Sequence, residues 1–396
     1  MTERTRVYLD HNATTPMRPE AWEAFQDTVA RLGGNASSAH TSGQLARAML
    51  DDARERTAGA LGVPDDAVVF TSGGTEANNL ALFGCVAAQQ RRAGAPSGRG
   101  SSLIVTACEH SSILAPAAEL ARRGHEVITI PVDERGAIEL SEVERALQSG
   151  QSALLSVMAA NNEVGMLTPL HRIGALVRAL PASSRPVFHT DAIQALGRIP
   201  LDLEGWGVDL ASLSAHKVGG PLGCGVLVRR AGTPLDGVIH GGGQESEQRS
   251  GTENVPAIVA TSVAIERAVD EQQGYAQRTR ALTTFMWEEL HAALPGACLL
   301  GPEIDSAERL PNTLALAVPD IDGRVLIARL DMAGLEVSAG SACASGSLEP
   351  SHVLLAMGLS RERARSALRL SVGRTTELPD VERAVEILGR IFSERA

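Results

Sequence analysis

The segment SAGSACASGSLEP, residues 338–350, places a thiol where it could react. Cys343 lies among Ser, Ala and Gly residues, with no apolar periodicity and few bulky neighbours to bury it, whereas a structural cysteine is usually a small buried hydrophobe. The other cysteines are Cys85, Cys108, Cys224 and Cys298. Since none forms a CxxC pair and the total is odd, we expect free, unreactive thiols and neither a disulfide framework nor a zinc site.

A second segment, LSAHKVGGPLGCG at 213–225, could hold a reactive lysine. Ser214, His216 and Lys217 end a predicted strand and lead directly into glycines, so the lysine side chain would meet an open space. Lysines are few in this chain, although a surface lysine is the default interpretation of any single one. A lysine with a depressed pKa is what Schiff-base chemistry needs.

A phosphate site is indicated by TSGGTEANN at 71–79. Gly73 and Gly74 would let the backbone approach a ligand closely, and a helix beginning near Thr75 would point free N–H groups at it. The same Gly-Gly-Thr pattern is equally typical of ordinary helix capping.

Three further polar residues follow predicted strands. His110 comes after LIVTA, while Asp191 and Gln194 follow PVFHT. Taken alone, His110 could be a structural histidine and Asp191 a helix N-cap. Together with Lys217 and the phosphate site, however, they fit pyridoxal 5′-phosphate. Asp191 would keep the ring nitrogen protonated, His110 could stack on the ring, and Gln194 could donate to its phenolic oxygen.

The hydrophobic pattern predicts a scaffold that brings these strand ends together. Short β-branched or apolar runs alternate with helical patterns, which is typical of a doubly wound α/β sheet with about seven strands and ligands at the carboxyl ends. A long helix at about 257–294, further apolar runs and a final helix predict a second, smaller domain. The seven runs are AVVF at 67–70, LIVTA at 103–107, EVITIPV at 126–132, ALLSVMA at 153–159, PVFHTDA at 186–192, VDLASLSA at 208–215 and GVLVRR at 225–230.

Composition excludes several function classes. The 396 residues carry 36 Lys plus Arg against 47 Asp plus Glu, and a net charge of −11 opposes attraction to nucleic acid or to an anionic membrane. No apolar stretch approaches the ~18 residues of a membrane span, and the first residues, MTERTRVYLD, lack the apolar core of a signal peptide. We expect a cytoplasmic protein without nucleic-acid or membrane partners.

The chain resembles the cysteine desulfurases of the NifS/IscS type, within the class V aminotransferase group of fold-type-I pyridoxal phosphate enzymes. The resemblance spans nearly the whole chain. It implies a large cofactor-binding domain over 16–260, with a mainly parallel seven-stranded sheet, and a small α+β domain from 1–15 and 261–396 that carries the cysteine loop. The matching motifs are YLDHNATTP at 8–16, GNASSAH at 34–40, FTSGGTEANN at 70–79, EHSSIL at 109–114, NNEVG at 161–165, HTDAIQ at 189–194, SAHK at 214–217, RSGTEN at 249–254 and SAGSACASGSLEPSHV at 338–353.

The resemblance also implies a role for each site residue. Lys217 forms the imine with the cofactor and moves protons, Asp191 pairs with the pyridine nitrogen, Gln194 contacts the ring oxygen, and His110 stacks and acts as acid or base. Asn162 and Arg369 hold a cofactor oxygen and the substrate carboxylate, although Arg369 could form only a surface salt bridge. The phosphate positions correspond to Gly74, Thr75, Ser214, His216 and, from a second subunit of a homodimer, Thr252.

Cys343 is then the nucleophile. The implied reaction converts L-cysteine to L-alanine, forms a persulfide on Cys343, and passes the sulfur to an iron–sulfur scaffold or another acceptor protein, with no metal in the site. Two residues depart from the commoner family pattern: Leu222 in GPLG, where GPKG is usual, and Ala339 in SAGSAC, where SSGSAC is usual. Neither departure touches an assigned catalytic atom.

Two alternatives share the same fold. A selenocysteine lyase or an aminotransferase would keep Lys217 and Asp191 but would not need Cys343. A catalytically silent partner or scaffold protein would be expected to have lost Lys217, which is present.

Overall fold

The computed structural model describes residues 6–93, 102–148, 152–294, 296–318, 321–339 and 349–393. Strands and helices alternate along most of this length. The strands are β1 (Val7–Tyr8), β2 (Val68–Thr71), β3 (Ser102–Thr106), β4 (Glu126–Ile130), β5 (Ser152–Ser156), β6 (Val187–Asp191), β7 (Leu210–Ser214), β8 (Gly225–Arg229), β9 (Cys298–Leu299), β10 (Thr313–Ala317), β11 (Leu335–Glu336) and β12 (Ala367–Ser371). The helices are α1 (Pro19–Arg31), α2 (Thr41–Leu61), α3 (Gly74–Ala93), α4 (Ser111–Arg122), α5 (Leu140–Gln148), α6 (Leu170–Ala179), α7 (Leu203–Trp206), α8 (Val255–Asp270), α9 (Gln272–Ala293), α10 (Gly323–Met332), α11 (His352–Ala356), α12 (Arg361–Arg365) and α13 (Leu378–Ser393).

The central sheet has seven strands in the order β2-β8-β7-β6-β5-β3-β4. All neighbours are parallel except β8, which runs antiparallel to both β2 and β7. Strands β3, β5, β6 and β7 are buried along their whole length. Apolar clusters lie on both faces, which is why these strands read as continuous apolar runs rather than alternating ones. The predicted seven-stranded, mainly parallel α/β sheet is confirmed. Each predicted run overlaps one of its strands, and β2, β3 and β5 extend one residue beyond their run.

A second apolar cluster surrounds a smaller sheet. Strands β9, β10 and β12 form an antiparallel sheet in the order β12-β10-β9, and β1 pairs in parallel with β11. Val7 and Leu9 from the N-terminal segment pack in the same cluster as Met286 and Leu330. This packing is consistent with an N-terminal segment that joins the C-terminal part of the chain. The division at residues 15/16 and 260/261 stays a prediction.

The predicted long helix at 257–294 is wrong, because two helices occupy this stretch. Helix α8 ends at Asp270 and α9 begins at Gln272. Between them the N–H of Glu271 bonds back to the carbonyls of Arg267 and Val269, which tightens the last turn of α8. The Glu271 carboxylate lies 2.8 Å from Nη1 of the buried Arg18, so a tertiary ion pair holds the break in place. Local helical periodicity contains no signal for such a contact.

No helix of the described ranges is long and apolar enough to cross a membrane.

A buried arginine ties the smaller sheet to the loop before it. Arg309 is 1% exposed, and its donors all face backbone carbonyls. Nε donates to Pro302 O at 2.8 Å, Nη1 to Thr313 O at 3.1 Å and Nη2 to Leu300 O at 2.5 Å. Burial lowers the pKa of Arg309 to about 10, so the side chain is still charged at neutral pH. The segment from 300 to 313 is thus folded around one cation.

Replacing Arg309 by Met should destabilise the protein by at least about 2 kcal/mol, because three buried carbonyls lose their donors while the side-chain volume is kept. Denaturant unfolding followed by circular dichroism measures the loss. Arg363→Met, at an exposed arginine, is the matched control. If the two variants unfold within 0.5 kcal/mol of each other, roughly the error expected for such comparisons, Arg309 is not the organising contact described here.

Candidate active site

One cleft of about 340 Å³ lies where the carboxyl ends of the central strands face the N-terminal segment and β12. Ten of the twelve predicted site residues line it. They are Gly74, Thr75, His110, Asn162, Asp191, Gln194, Ser214, His216, Lys217 and Arg369. The parallel topology produces this convergence, because successive strands deliver their last residues to the same edge of the sheet. Thr252 does not line the cleft, and Cys343 lies outside the described residues.

Lys217 is held at the base of the cleft by backbone carbonyls. It is the only lysine in the chain. It ends a short 3₁₀ turn, Ala215–Lys217, that follows β7 directly. Its Nζ donates to Asn12 O at 2.5 Å and to Ala13 O at 2.7 Å. The N-terminal segment, which lies more than 200 residues away in sequence, therefore positions the amine.

Asn12 connects this lysine to the smaller sheet. Its carbonyl also accepts from Gln194 Nε2 at 3.0 Å. Its side chain donates to Thr313 Oγ1 at 2.9 Å and accepts from Asn312 Nδ2 at 3.0 Å. Its N–H donates to Ser371 Oγ at 2.9 Å. All of these groups are buried, so Asn12 has few other conformations available.

Asp191 ends β6 with its carboxylate fixed from two sides. Oδ1 accepts from the N–H of Ile193 at 3.0 Å, and Oδ2 accepts from Asn78 Nδ2 at 2.8 Å. The same Asn78 nitrogen lies 2.8 Å from Ser112 Oγ, which in turn lies 2.7 Å from Nδ1 of His110. A single hydrogen-bonded chain thus joins the acid and the histidine that the sequence places on different strands.

His110 also caps helix α4. Its Nδ1 accepts from the N–H of Ser112 at 3.1 Å. Because Nδ1 is an acceptor in this contact, the proton of the neutral imidazole is assigned to Nε2. The structural and the functional interpretations of His110 are therefore compatible, since the cap fixes the ring at the edge of the cleft.

The start of helix α3 borders the cleft at Gly74 and Thr75. The helix begins at Gly74, where an added Cβ would lie 2.2 Å from Ile193 Cδ1 and 3.4 Å from Ser214 Cβ, so a larger residue would require the Ile193 side chain to move. Gly73 has a φ of +150°, which favours glycine. The first N–H groups of the 20-residue helix have no intrahelical acceptor. This geometry suits an anion placed against the helix terminus.

His216 completes this side of the cleft as a neutral group. Burial lowers its pKa to about 4, and the charges of Lys217 and Arg198 add to the effect. Its Nδ1 lies 3.1 Å from Thr14 Oγ1. At neutral pH His216 can therefore donate or accept a hydrogen bond without adding charge.

Arg369 approaches the cleft from β12. It is 1% exposed, its Nη2 donates to Asp10 Oδ1 at 2.6 Å, and its Nη1 donates to Asn162 O at 3.0 Å. The surface salt bridge considered for this arginine is wrong, because the side chain is buried. Its Nε is buried without a hydrogen-bond partner. A buried cation with an unused donor is suited to a carboxylate ligand.

Thr252 lies on an exposed turn just before α8. Arg249 ties this turn to the first turn of α3, since its Nε donates to Glu76 Oε1 at 2.8 Å. Upstream, Glu245, Ser246 and Glu247 all have positive φ values, of 48°, 54° and 67°, which is a costly conformation for residues other than glycine. The turn is thus fixed next to Thr75, and Thr252 is exposed and does not line this cleft.

The segment that follows the cysteine loop returns to the cleft. Ser351 donates to Glu163 Oε2 at 2.5 Å and caps helix α11. His352, which lines the cleft, places Nε2 2.8 Å from the carbonyl oxygen of Glu109. Burial raises the pKa of Glu163. Of the two departing residues, Leu222 is 75% exposed and Ala339 ends the described part of its segment.

Sequence reasoning missed Asn12, Asn78, Arg198, Glu163 and His352. Asn12, Asn78 and Glu163 lie inside the matching motifs YLDHNATTP, TSGGTEANN and NNEVG, so their position in a motif was the available signal. His352 likewise lies at the end of the matching motif SAGSACASGSLEPSHV, whereas Arg198 looks like an ordinary polar residue of a turn. In the part of the chain that the structure describes, no group of three or more His, Cys, Asp and Glu residues is placed to hold a metal ion.

The class V aminotransferase family model matches residues 7–384. The chain belongs to this family. Among class V aminotransferase relatives, a cysteine desulfurase IscS of Dictyoglomus turgidum is 38% identical over 391 residues, covering 99% of this chain and 95% of the relative. An IscS-like cysteine desulfurase of Mycobacterium tuberculosis is 40% identical over 384 residues, covering 96% and 95%.

Solved structures of similar proteins have the same fold. A NifS-like protein gives a TM-score of 0.88 at 35% identity, with 98% of this chain and 100% of that chain covered. A NifS-like protein of Rickettsia africae gives 0.85 at 30% identity, with 98% and 99% covered. The resemblance drawn from the nine motifs is confirmed, as is the fold-type-I architecture.

Class V aminotransferases are pyridoxal 5′-phosphate enzymes, so the predicted cofactor is confirmed at the level of the family. The residues of the cleft fit this group. They offer an amine on a rigid turn, a fixed carboxylate, a helix terminus without side chains for the phosphate, and the unpaired donor of Arg369 for a substrate carboxylate.

A buried carboxyl group lies behind the cleft, next to His110. Glu109 is 0% exposed; its Oε1 accepts from Thr106 Oγ1 at 2.7 Å and from the N–H of Met158 at 2.8 Å, while Oε2 has no partner. Burial raises the pKa of Glu109 to about 8. The folded protein therefore keeps this carboxyl protonated at neutral pH.

This proton should make stability fall as pH rises. In the unfolded chain Glu109 loses its proton near pH 4.5, whereas in the folded protein it keeps the proton up to about pH 8. Between these two values the free energy of unfolding therefore falls as the pH rises. Between pH 6 and pH 8 the wild type should lose about 2 kcal/mol more than Glu109→Gln, which is neutral throughout. Denaturant unfolding at the two pH values measures this, with the exposed Glu144→Gln as control. Equal pH dependence of wild type and Glu109→Gln would show that Glu109 is ionised in the folded protein.

Proposed function

We propose that this protein is a pyridoxal phosphate-dependent cysteine desulfurase, which converts L-cysteine to L-alanine and forms a persulfide on Cys343. The observation that carries the proposal is the convergence of Lys217, Asp191, His110 and Arg369 on one cleft. The names of the relatives, cysteine desulfurase IscS and IscS-like cysteine desulfurase, support the reaction.

The cleft residues have distinct tasks toward the cofactor. When bound, pyridoxal phosphate supplies an electron sink for the α-carbon of an amino acid. Lys217 would anchor the group and move the α-proton, since its Nζ is held at a fixed place by two carbonyls. Asp191 would hold the proton on the ring nitrogen, and Gln194 would donate to the ring oxygen. The start of α3, with Gly74, Thr75, Ser214 and His216, would hold the phosphate.

The substrate would be oriented by its carboxylate. Arg369 is the only cleft-lining arginine of the described residues, and its Nε donor is unused. Asn162 lies beside it, with its carbonyl already bonded to Arg369. His110, whose ring is held by Ser112 and lines the same cleft, would act as acid or base.

Sulfur transfer would then be a displacement by the Cys343 thiolate on the sulfur of the bound cysteine. The S–S bond of the persulfide forms as the Cβ–S bond breaks, and the electron pair of the broken bond remains with the carbon. Protonation of that carbon gives the methyl group of alanine. The loop around Cys343, rich in Ser, Ala and Gly, suits a nucleophile that must also meet an outside acceptor.

The finer parts of the proposal concern partners and location. We propose an iron–sulfur scaffold or another sulfur-acceptor protein as the partner, and a homodimer in which Thr252 serves the phosphate of the other subunit. The turn that carries Thr252 is exposed and is tied next to Thr75, which supports such a role. The described cysteines are free thiols, which is typical of a reducing compartment and supports a cytoplasmic location.

Cys343→Ala should abolish sulfide and persulfide formation from L-cysteine and leave the visible absorbance of the bound cofactor near its normal position. The reason is that the nucleophile is removed while the cofactor contacts stay intact. Sulfide release and mass spectrometry of the enzyme, which detects one added sulfur atom, measure the two products. Cys298→Ala, at a half-buried free thiol, is the matched control. Full turnover by Cys343→Ala would refute the desulfurase and favour a selenocysteine lyase or an aminotransferase.

Arg369→Lys should raise the KM for L-cysteine at least about tenfold and lower kcat less. The planar guanidinium that can meet a carboxylate with two donors is replaced by a single ammonium. Binding of cysteamine, which lacks the carboxylate, should change little, and the cofactor absorbance provides the titration signal for both ligands. A parallel loss of affinity for cysteamine would assign Arg369 to the shape of the cleft rather than to the carboxylate.

A further inference from the structure

We propose that Arg198 is a positioning residue for the cofactor site, because it fixes the side-chain amide of Gln194 so that a donor, not an acceptor, serves the cleft. The inference rests on the proposed contact between Gln194 and the cofactor ring. It assigns a role to a residue that does not line the cleft and whose described side-chain hydrogen bonds reach one predicted site residue, Gln194.

The turn after β6 places the two side chains together. Backbone bonds from Ala195 and Leu196 to Ala192 O, and from Arg198 to Ala195 O, wind this segment into helical turns. Residues 194 and 198 therefore share one side, as residues four apart do on a helix. Nη1 of Arg198 donates to Gln194 O at 2.8 Å and also bonds to Gln194 Oε1.

The chemistry of arginine decides which way the amide points. A guanidinium has five donors and no acceptor, so the amide atom that it contacts must be the oxygen. The amide nitrogen is then on the other side, where Nε2 donates to Asn12 O at 3.0 Å. That carbonyl also receives Lys217 Nζ, so the donor end of Gln194 and the lysine amine share one acceptor. Without Arg198, both amide orientations would be open to Gln194.

The burial of Arg198 is expensive and is not offset by a carboxylate. The side chain is 3% exposed, and burial lowers its pKa. None of the ion pairs found within the described ranges includes it. Its other contacts are Nη2 to His11 O at 3.4 Å and the hydroxyl of Tyr275. Such a cation polarises the amide that it holds and makes the N–H groups of Gln194 stronger donors.

A purely structural role of Arg198 and a positioning role predict different effects when the residue is replaced. Arg198 also joins the turn after β6 to the N-terminal segment through His11, so its loss must cost stability whatever its effect on the site. Only a positioning role changes the electrostatics of a bound cofactor. Protonation of the lysine–cofactor linkage adds a positive charge, which a cation and a donor nearby disfavour. Losing them should therefore raise the pH at which the linkage loses its proton.

The first experiment titrates the visible absorbance of the cofactor-loaded enzyme with pH, in the absence of cysteine. Arg198→Met keeps the length of the side chain and removes charge and donors; its midpoint should rise by about one pH unit. Arg198→Lys keeps a charge and a donor, and its midpoint should stay within about 0.3 units of the wild type. The other titratable or charged groups that line the cleft and the adjoining cavity, or that pair with them, are unchanged in both variants; they are Asp10, His11, Arg18, His110, Glu163, Asp191, His216, Glu271, Tyr275, His352, Arg369 and Arg374. An unshifted midpoint in Arg198→Met overturns the proposal.

The second experiment tests whether the effect passes through Gln194. In a Gln194→Ala background, Arg198→Met should shift the midpoint by less than half of the shift seen with Gln194 present, because the amide to be positioned is absent. An equal shift in both backgrounds overturns the proposal.

A third variant keeps the test valid if Arg198→Met fails to fold or to hold the cofactor. In Gln194→Glu, Arg198 remains and pairs with a carboxylate, so no donor serves the cleft, and the midpoint should again rise by about one unit. An unchanged midpoint in Gln194→Glu counts against the proposal independently. All three titrations need only bound cofactor. If the variants show these shifts but the wild type makes no persulfide, the desulfurase is refuted and the role of Arg198 stays intact.

Discussion

The site depends on one backbone carbonyl. Asn12 O accepts hydrogen bonds from both Lys217 and Gln194, and the side chain of Asn12 is held by Asn312 and Thr313 of the smaller sheet. Strand β7, which precedes Lys217, is thus not sufficient to position the lysine amine; the N-terminal segment is also needed. A carbonyl has two lone pairs, and here both serve groups of the cleft. Any shift of the N-terminal segment against the central sheet must move both donors together.

Local pattern was sufficient to predict most of the sheet. Strands β3, β5, β6 and β7 are buried on both faces, so they appear in the sequence as continuous apolar runs bounded by polar residues. The site residues at their ends could be predicted for the same reason, because Asp191 and Ser214 end such strands and Lys217 follows three residues after Ser214. The break between α8 and α9 could not, since it depends on Arg18, more than 250 residues away.

Residues that act through long-range polar contacts were beyond sequence reasoning. Glu109 and Arg309 are charged in their unperturbed forms, and in a sequence they look like surface residues. In the structure both are buried, and their partners are backbone groups or side chains that no periodicity relates to them. Arg198 belongs with them, since its one functional neighbour is the side chain of Gln194. The interior of this protein therefore contains a few polar contacts that apolar packing could not replace if they were lost.

The pairing of β1 with β11 has a consequence for how the enzyme is made. Val7 pairs with Leu335, and Leu9 donates its N–H to Glu336 O. The first described strand therefore cannot pair until residues near the far end of the chain have been synthesised. During synthesis the central sheet, complete by Arg229, can form while the N-terminal strand is still unpaired. The residues that hold Asn12, which are Asn312, Thr313 and Ser371, are also synthesised late, in the last quarter of the chain. A nascent chain can accordingly have a folded central sheet before its N-terminal segment is fixed over Lys217.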